Sequence, residues 1–72
     1  MNIKMFDLVK SINDKEGIKS GTIGTVVEIW KESELYEIEF SDESGNTLNC
    51  VTMKRGDFTP LSPNEIAKLK LK

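Results

Sequence analysis

The 72-residue chain contains no histidine, a single cysteine (Cys50), two prolines and one tryptophan. Without histidine it lacks the commonest general base near neutral pH and the commonest transition-metal ligand. Every Ser-His or Cys-His nucleophile pair is excluded with it. One cysteine allows no internal disulfide and supplies no thiolate cluster for zinc. Set among apolar strand residues, Cys50 reads as a small core side chain. No apolar run reaches the length of a membrane span, and the opening MNIKMFDLVK lacks the apolar stretch of a signal peptide. The expectation is a cytoplasmic protein with no membrane contact. Net charge is -2, so the basic footprint of a nucleic-acid binder is missing, and nucleic acid is not the expected partner.

What is present fits one small β-rich globule. Hydrophobic residues make up 38% and charged residues 31%, the balance of an ordinary folded domain. A chain this short buries only roughly 60% of the surface its unfolded form exposes, so stability is modest. MFDLVKSI (5–12) reads as a first strand and NDKEGIKSG (13–21) as a loop. TVVEIW (25–30) and LYEIEF (35–40) are the strongest strand signals, β-branched and aromatic with period-two alternation, joined by the four-residue turn KESE. DESGN turns the chain into TLNCVTM (47–53), and RGDFTPL carries a short fifth strand near Phe58. SPNE (62–65) is a helix start, with Ser62 as N-cap, Pro63 at the first helical position and Glu65 completing a capping box. Ile66, Leu69 and Ala67 form its apolar stripe, and Lys68, Lys70 and Lys72 suit the negative end of its dipole. The chain thus divides into a β domain over 1–61 and a helical extension over 62–72.

Pairing Trp30 with Leu35 sets Ile29 opposite Tyr36, Val27 opposite Ile38 and Thr25 opposite Phe40, all on one apolar face. The same reasoning through the second turn sets Phe40 opposite Leu48 and Ile38 opposite Cys50, placing Cys50 inside. The other face then carries Val26, Glu28 and Trp30, then Leu35, Glu37 and Glu39, then Asn49, Val51 and Met53. Glu28 falls directly opposite Glu37, a like-charge pair costing about 0.2–1 kcal/mol. Glu39 lies beside it, and Glu32 and Glu34 sit in the adjoining turn. A tryptophan rimmed by charge is the composition of a protein-binding hot spot.

Other chemistry finds little support. After the last of Gly17, Gly21 and Gly24 comes neither the Lys-Ser/Thr pair of a phosphate loop nor a helix, so the three read as turn glycines. The carboxylates Glu28, Glu37, Glu39, Asp42 and Glu43 are expected on a convex face open to water, away from the buried cleft that acid–base catalysis needs. Asp42 and Glu43 lack the ligand alternation of a calcium loop. Lys54-Arg55 is the one adjacent basic pair and reads as a solvated turn. No catalytic residue, metal site or cofactor site is expected, and no enzyme.

FDLV (6–9), GIKSGTIGTVVEIW (17–30), YEIEFSDESGNT (36–47) and VTMKRGDFTPL (51–61) together resemble a family of small bacterial proteins known only as a domain of unknown function. The resemblance covers about residues 5–61, and residues 62–72 extend past the family's usual stop. It implies a mainly β fold, a small five-stranded SH3-like barrel, here followed by a short C-terminal helix, with Gly24 where the chain turns sharply into the second strand. Gly-Thr-Val-Val also occurs in the KOW element of ribosomal and transcription-factor barrels. Some members of the family are similar in setting to immunity proteins or antitoxins.

The expected function is a non-catalytic module that captures a basic protein, such as a toxin or nuclease, through Glu28, Trp30, Glu32, Glu34, Glu37 and Glu39. Two alternatives stand beside it. One is a KOW-like RNA or ribosome-associated module using Lys19, Lys31, Lys54 and Arg55. The other is a barrel that self-associates into a homo-oligomer through its edge strands.

Overall fold

Alternating β-branched and aromatic stretches punctuated by turn residues build an all-antiparallel sheet. The computed structural model of the protein describes residues 2–70. Its strands are β1 (Leu8–Ser11), β2 (Ile23–Trp30), β3 (Leu35–Ser41), β4 (Thr47–Lys54) and β5 (Phe58–Pro60), followed by α1 (Pro63–Lys70). β1 to β4 form a meander. A 3-10 turn, Arg55–Asp57, then carries the chain across to set β5 beside β1, giving the order β4-β3-β2-β1-β5. One five-stranded antiparallel sheet with a short C-terminal helix is a mainly β architecture, consistent with a small SH3-like barrel. Val9, Val26, Ile38, Phe40, Val51, Met53 and Phe58 fill its interior, and Ile18 closes it from the loop before β2.

The KESE turn joins β2 to β3 as its length predicts, with Trp30 opposite Leu35, Ile29 opposite Tyr36 and Glu28 opposite Glu37. Beyond that point the structure departs from simple alternation. The ladder resumes with Val26 opposite Ile38, so Val27 is an extra residue, a β-bulge. One inserted residue exchanges the faces of all that precedes it. Val26 is therefore wholly buried, while Thr25 and Val27, expected inside, are only half-buried.

A second bulge corrects β4 in the same way. The turn itself forms as expected: Asp42 accepts the Ser44 and Asn46 N–H groups at 2.9 Å each, and Gly45 adopts φ 86°. Ser41 pairs with Thr47, but the next pair is Phe40 with Asn49, so Leu48 is the extra residue. The shift turns Val51 (1% exposed) and Met53 (0%) into the core, where an outward orientation was expected. Leu48, expected against Phe40, is instead 52% exposed, and Cys50, expected inside, is exposed opposite Glu39.

The glycines also divide. Gly17 (φ 83°) and Gly21 (φ 90°) occupy the left-handed region open to glycine, as turn glycines should. Gly24 is not a turn residue. It lies within β2, buried and paired with Val9 and Phe40. A Cβ there would come 2.6 Å from Ile38 Cγ2 and 2.8 Å from Phe40 Cδ1. The absence of a side chain lets the two core residues pack on its backbone.

The helix start is as its sequence signature requires. Ser62 Oγ accepts the Glu65 N–H at 3.1 Å, and Glu65 Oε1 accepts the Ser62 N–H at 2.9 Å. Glu65 also meets Lys10 of β1 at 2.5 Å, which ties the helix to the barrel. Hydrogen bonding from the Lys10 ammonium, reinforced by the Ser62 N–H, holds the Glu65 carboxyl down at about 2. Leu69 and Leu48 line a common groove near the β3–β4 turn, so the helix lies at that end of the barrel. Trp30 stands at the opposite strand end, and Val51 and Met53 are in the core. Lys72, expected to complement the helix dipole, is outside the described residues.

Candidate functional site

The outer face of β2–β3–β4 gathers the acidic residues, and the Val27 bulge decides which reach it. Because the extra residue precedes Glu28, the register from Glu28 to Trp30 is the simple one, and the Glu28–Glu37 pair forms as expected. Glu28 is exposed, and its Oε1 takes its neighbour's Ile29 N–H at 3.1 Å. Glu37 is half-buried and accepts the Thr52 hydroxyl at 2.8 Å across the β3–β4 ladder. That bond draws the Glu37 carboxylate toward β4, while the Glu28 carboxylate is held on its own strand. Glu39, two residues on and half-buried, lies between Thr25 and Cys50.

Trp30 is 44% exposed at the end of β2, beside Leu35 of β3. Glu32 and Glu34 are exposed in the turn that follows, where Glu34 takes a left-handed φ of 56° and donates its N–H to Lys31 at 3.4 Å. The six residues singled out in the sequence are therefore contiguous: three on strands of one face, Trp30 at its end, and two in the adjoining hairpin turn. The ion pairs among the described residues are Lys10–Glu65 and Lys15–Asp57, so none of these carboxylates is neutralised by one. Val26, Val51 and Met53, expected on this face, do not reach it. Thr25, Cys50, Thr52 and Lys54 occupy the corresponding positions instead.

The basic residues considered for RNA do not all gather in one place. Lys19 belongs to the loop before β2, while Lys31 and Arg55 line a cleft at the other strand end, together with Lys4. Lys54 lies on the outer face opposite Leu35. Asp57, missed in the sequence, is a structural anchor: burial opposes its charge, but hydrogen bonds from the Lys54 N–H, Asn13 and Lys15 hold its carboxyl below the usual range. Asp42 is likewise held low, chiefly by the Asn46 N–H, so its oxygens serve the turn. Among the described residues no group of three or more Cys, Asp and Glu is placed to hold a metal ion.

Two further features escaped the sequence reading. Phe6 is 70% exposed at φ 68°, with its N–H donated to the Val26 carbonyl at 2.7 Å, alongside the β2 bulge. Its proximity to that bulge has no local sequence signal. Arg55 is the other: its guanidinium lies 5.2 Å from the Phe58 ring centroid and donates to the Phe58 carbonyl at 3.0 Å. Its spacing of three residues from an aromatic was the available hint. No helix among the described residues is long and apolar enough to cross a membrane.

No curated protein and no solved structure matches the chain. The family described as domain of unknown function DUF4926 matches residues 5–60, the five strands without the helix, and the chain belongs to that family.

Proposed function

We propose that this protein is a non-catalytic binding module whose outer β2–β3 face captures a basic protein, the role of an immunity protein or antitoxin facing a toxin such as a nuclease. The observation that carries this reading is the placement of Glu28 directly opposite Glu37, beside the half-exposed Trp30. Opposed carboxylates destabilise a sheet by about 0.2–1 kcal/mol. A cationic partner converts that repulsion into attraction, so part of the binding energy is stored in the free protein. Charge complementarity then speeds encounter and selects the partner, while Trp30 supplies the desolvated anchor that slows release.

The test is capture by immobilised wild-type protein and by the Glu28→Lys/Glu37→Lys variant from a lysate of the source cells, with retained proteins identified by mass spectrometry. The reading expects a basic protein held by the wild type and lost from the variant. Equal retention by both would make the acidic face ordinary solvated surface.

A further inference from the structure

We propose that the cleft at the Trp30 end of the barrel binds a mononucleotide-sized phosphorylated ligand, with its base against Tyr36 and its phosphate on Arg55, Lys31 and Lys4. The cleft adjoins the acidic face and shares Glu34 with it, but its cations and apolar residues lie off that face, so nucleotide binding and protein capture are read by different variants. Its apolar floor is Ile3, Ile29 and Tyr36, and its rim carries the three cations, in a space of about 520 Å³ open to solvent. That combination of an apolar floor with a few convergent polar groups is the usual make-up of a small-molecule site.

The charges there are unusual for this chain. In a protein of net charge -2, the two ion pairs among the described residues involve other lysines, Lys10 and Lys15. The cleft's cations therefore keep their charge for a ligand, with Glu34 the single acid on the rim. Arg55 is also held in place. Its guanidinium lies over the Phe58 ring and spends one N–H on the Phe58 carbonyl, leaving further donors of its planar fork for an oxyanion. Tyr36 is fixed edge-on to the same ring, at 5.1 Å between centroids and 73° between planes. A held aromatic ring and a held guanidinium on one cleft suit a planar base joined to a phosphate, since every base has a face that stacks.

Size and surroundings favour a single nucleotide over a strand. Glu28, Glu32 and Glu37 lie beyond the rim on the neighbouring strands and turn, and a longer polyanion leaving the cleft would run against them.

Isothermal titration calorimetry of the full chain with adenosine 5′-monophosphate, adenosine, inorganic phosphate and a single-stranded hexa-adenylate decides the matter. The monophosphate is expected to bind more tightly than either half alone, and more weakly as salt is raised. Lys31→Gln and Arg55→Gln should each weaken it about tenfold, the loss of one charge-assisted hydrogen bond. Lys31 is exposed in a turn, so its variant tests the site without disturbing Phe58, and Lys19→Gln at the other end should bind as wild type does. The proposal is overturned if the monophosphate gives no binding heat, if Lys31→Gln binds it as well as the wild type, or if hexa-adenylate binds far more tightly than the monophosphate.

Discussion

Replacing Gly24 by alanine tests the β2 bulge through a single methyl group. The new Cβ would lie 2.6 Å from Ile38 Cγ2, and 2.8 and 3.0 Å from Phe40 Cδ1 and Cε1. Comfortable carbon–carbon separations are about 3.5–4.0 Å, so both neighbours must retreat by about 1 Å. Ile38 and Phe40 are fully buried and have nowhere to go without disturbing Val51 and Val9. Overpacking of this kind costs about 1–3 kcal/mol. Loss of glycine's freedom in the unfolded chain returns about 0.4–1 kcal/mol. The net expectation is a loss of about 1–2 kcal/mol, a drop in Tm of about 5–15 °C for a domain of this size.

Urea and thermal unfolding followed by circular dichroism measure the change. Gly56→Ala is the control: no atom lies within 4 Å of its added Cβ, so it should leave stability unchanged or raise it by about 0.4–1 kcal/mol. Without a bulge at Val27, Gly24 would face outward, and alanine there would stabilise the strand by about 0.5–1 kcal/mol. A Gly24→Ala protein as stable as the wild type, or more so, refutes the register.

The β4 bulge predicts that Met53→Ala costs about 2–5 kcal/mol, enough to unfold much of so small a domain, while Cys50→Ser stays within about 0.5 kcal/mol of wild type. A thiol reagent should label Cys50 in the native protein without denaturant, and slow labelling limited by unfolding would contradict its exposure. At the helix, Ser62→Ala should cost about 0.5–2 kcal/mol of stability through the lost N-cap. Because the folded Glu65 carboxyl is held down at about 2 from 4.5, its contribution is present above about pH 4.5 and fades as pH falls toward 2. Glu65→Gln should flatten that part of the pH–stability curve, and an unchanged curve would show that the Lys10 contact contributes nothing. Glu37→Gln, which keeps a partner for the Thr52 hydroxyl and removes the repulsion with Glu28, should stabilise the fold by about 0.2–1 kcal/mol, more at low salt, in urea titrations.

The elements of this fold are legible in the sequence because each has a local cause. β-branched alternation marks β2 and β3, KESE and DESGN set the hairpins, and Ser62 with Glu65 announces the helix. The Glu28–Glu37 pair follows from counting across a four-residue turn. The faces of half of β2 and most of β4 are not legible in that way, since a bulge adds one residue with no change in composition. Val27 sits inside a Val-Val run, where either valine serves equally well in the core. In β4 a hint exists: Val51 and Met53 alternate with Thr52 and Lys54, and that short pattern outweighs a count carried through the turn. Gly24 looks like its turn neighbours until Ile38 and Phe40 are seen lying on it.

The central claim is that a basic partner docks over the outer β2–β3 face. Trp30 is the only tryptophan, so its fluorescence reports on that face alone. With the captured partner purified and carrying no tryptophan, or its tryptophans replaced, emission from Trp30 should shift to the blue on saturation. Its accessibility to a soluble quencher should fall as well. Complete binding by calorimetry with Trp30 emission and quenching unchanged would contradict the account.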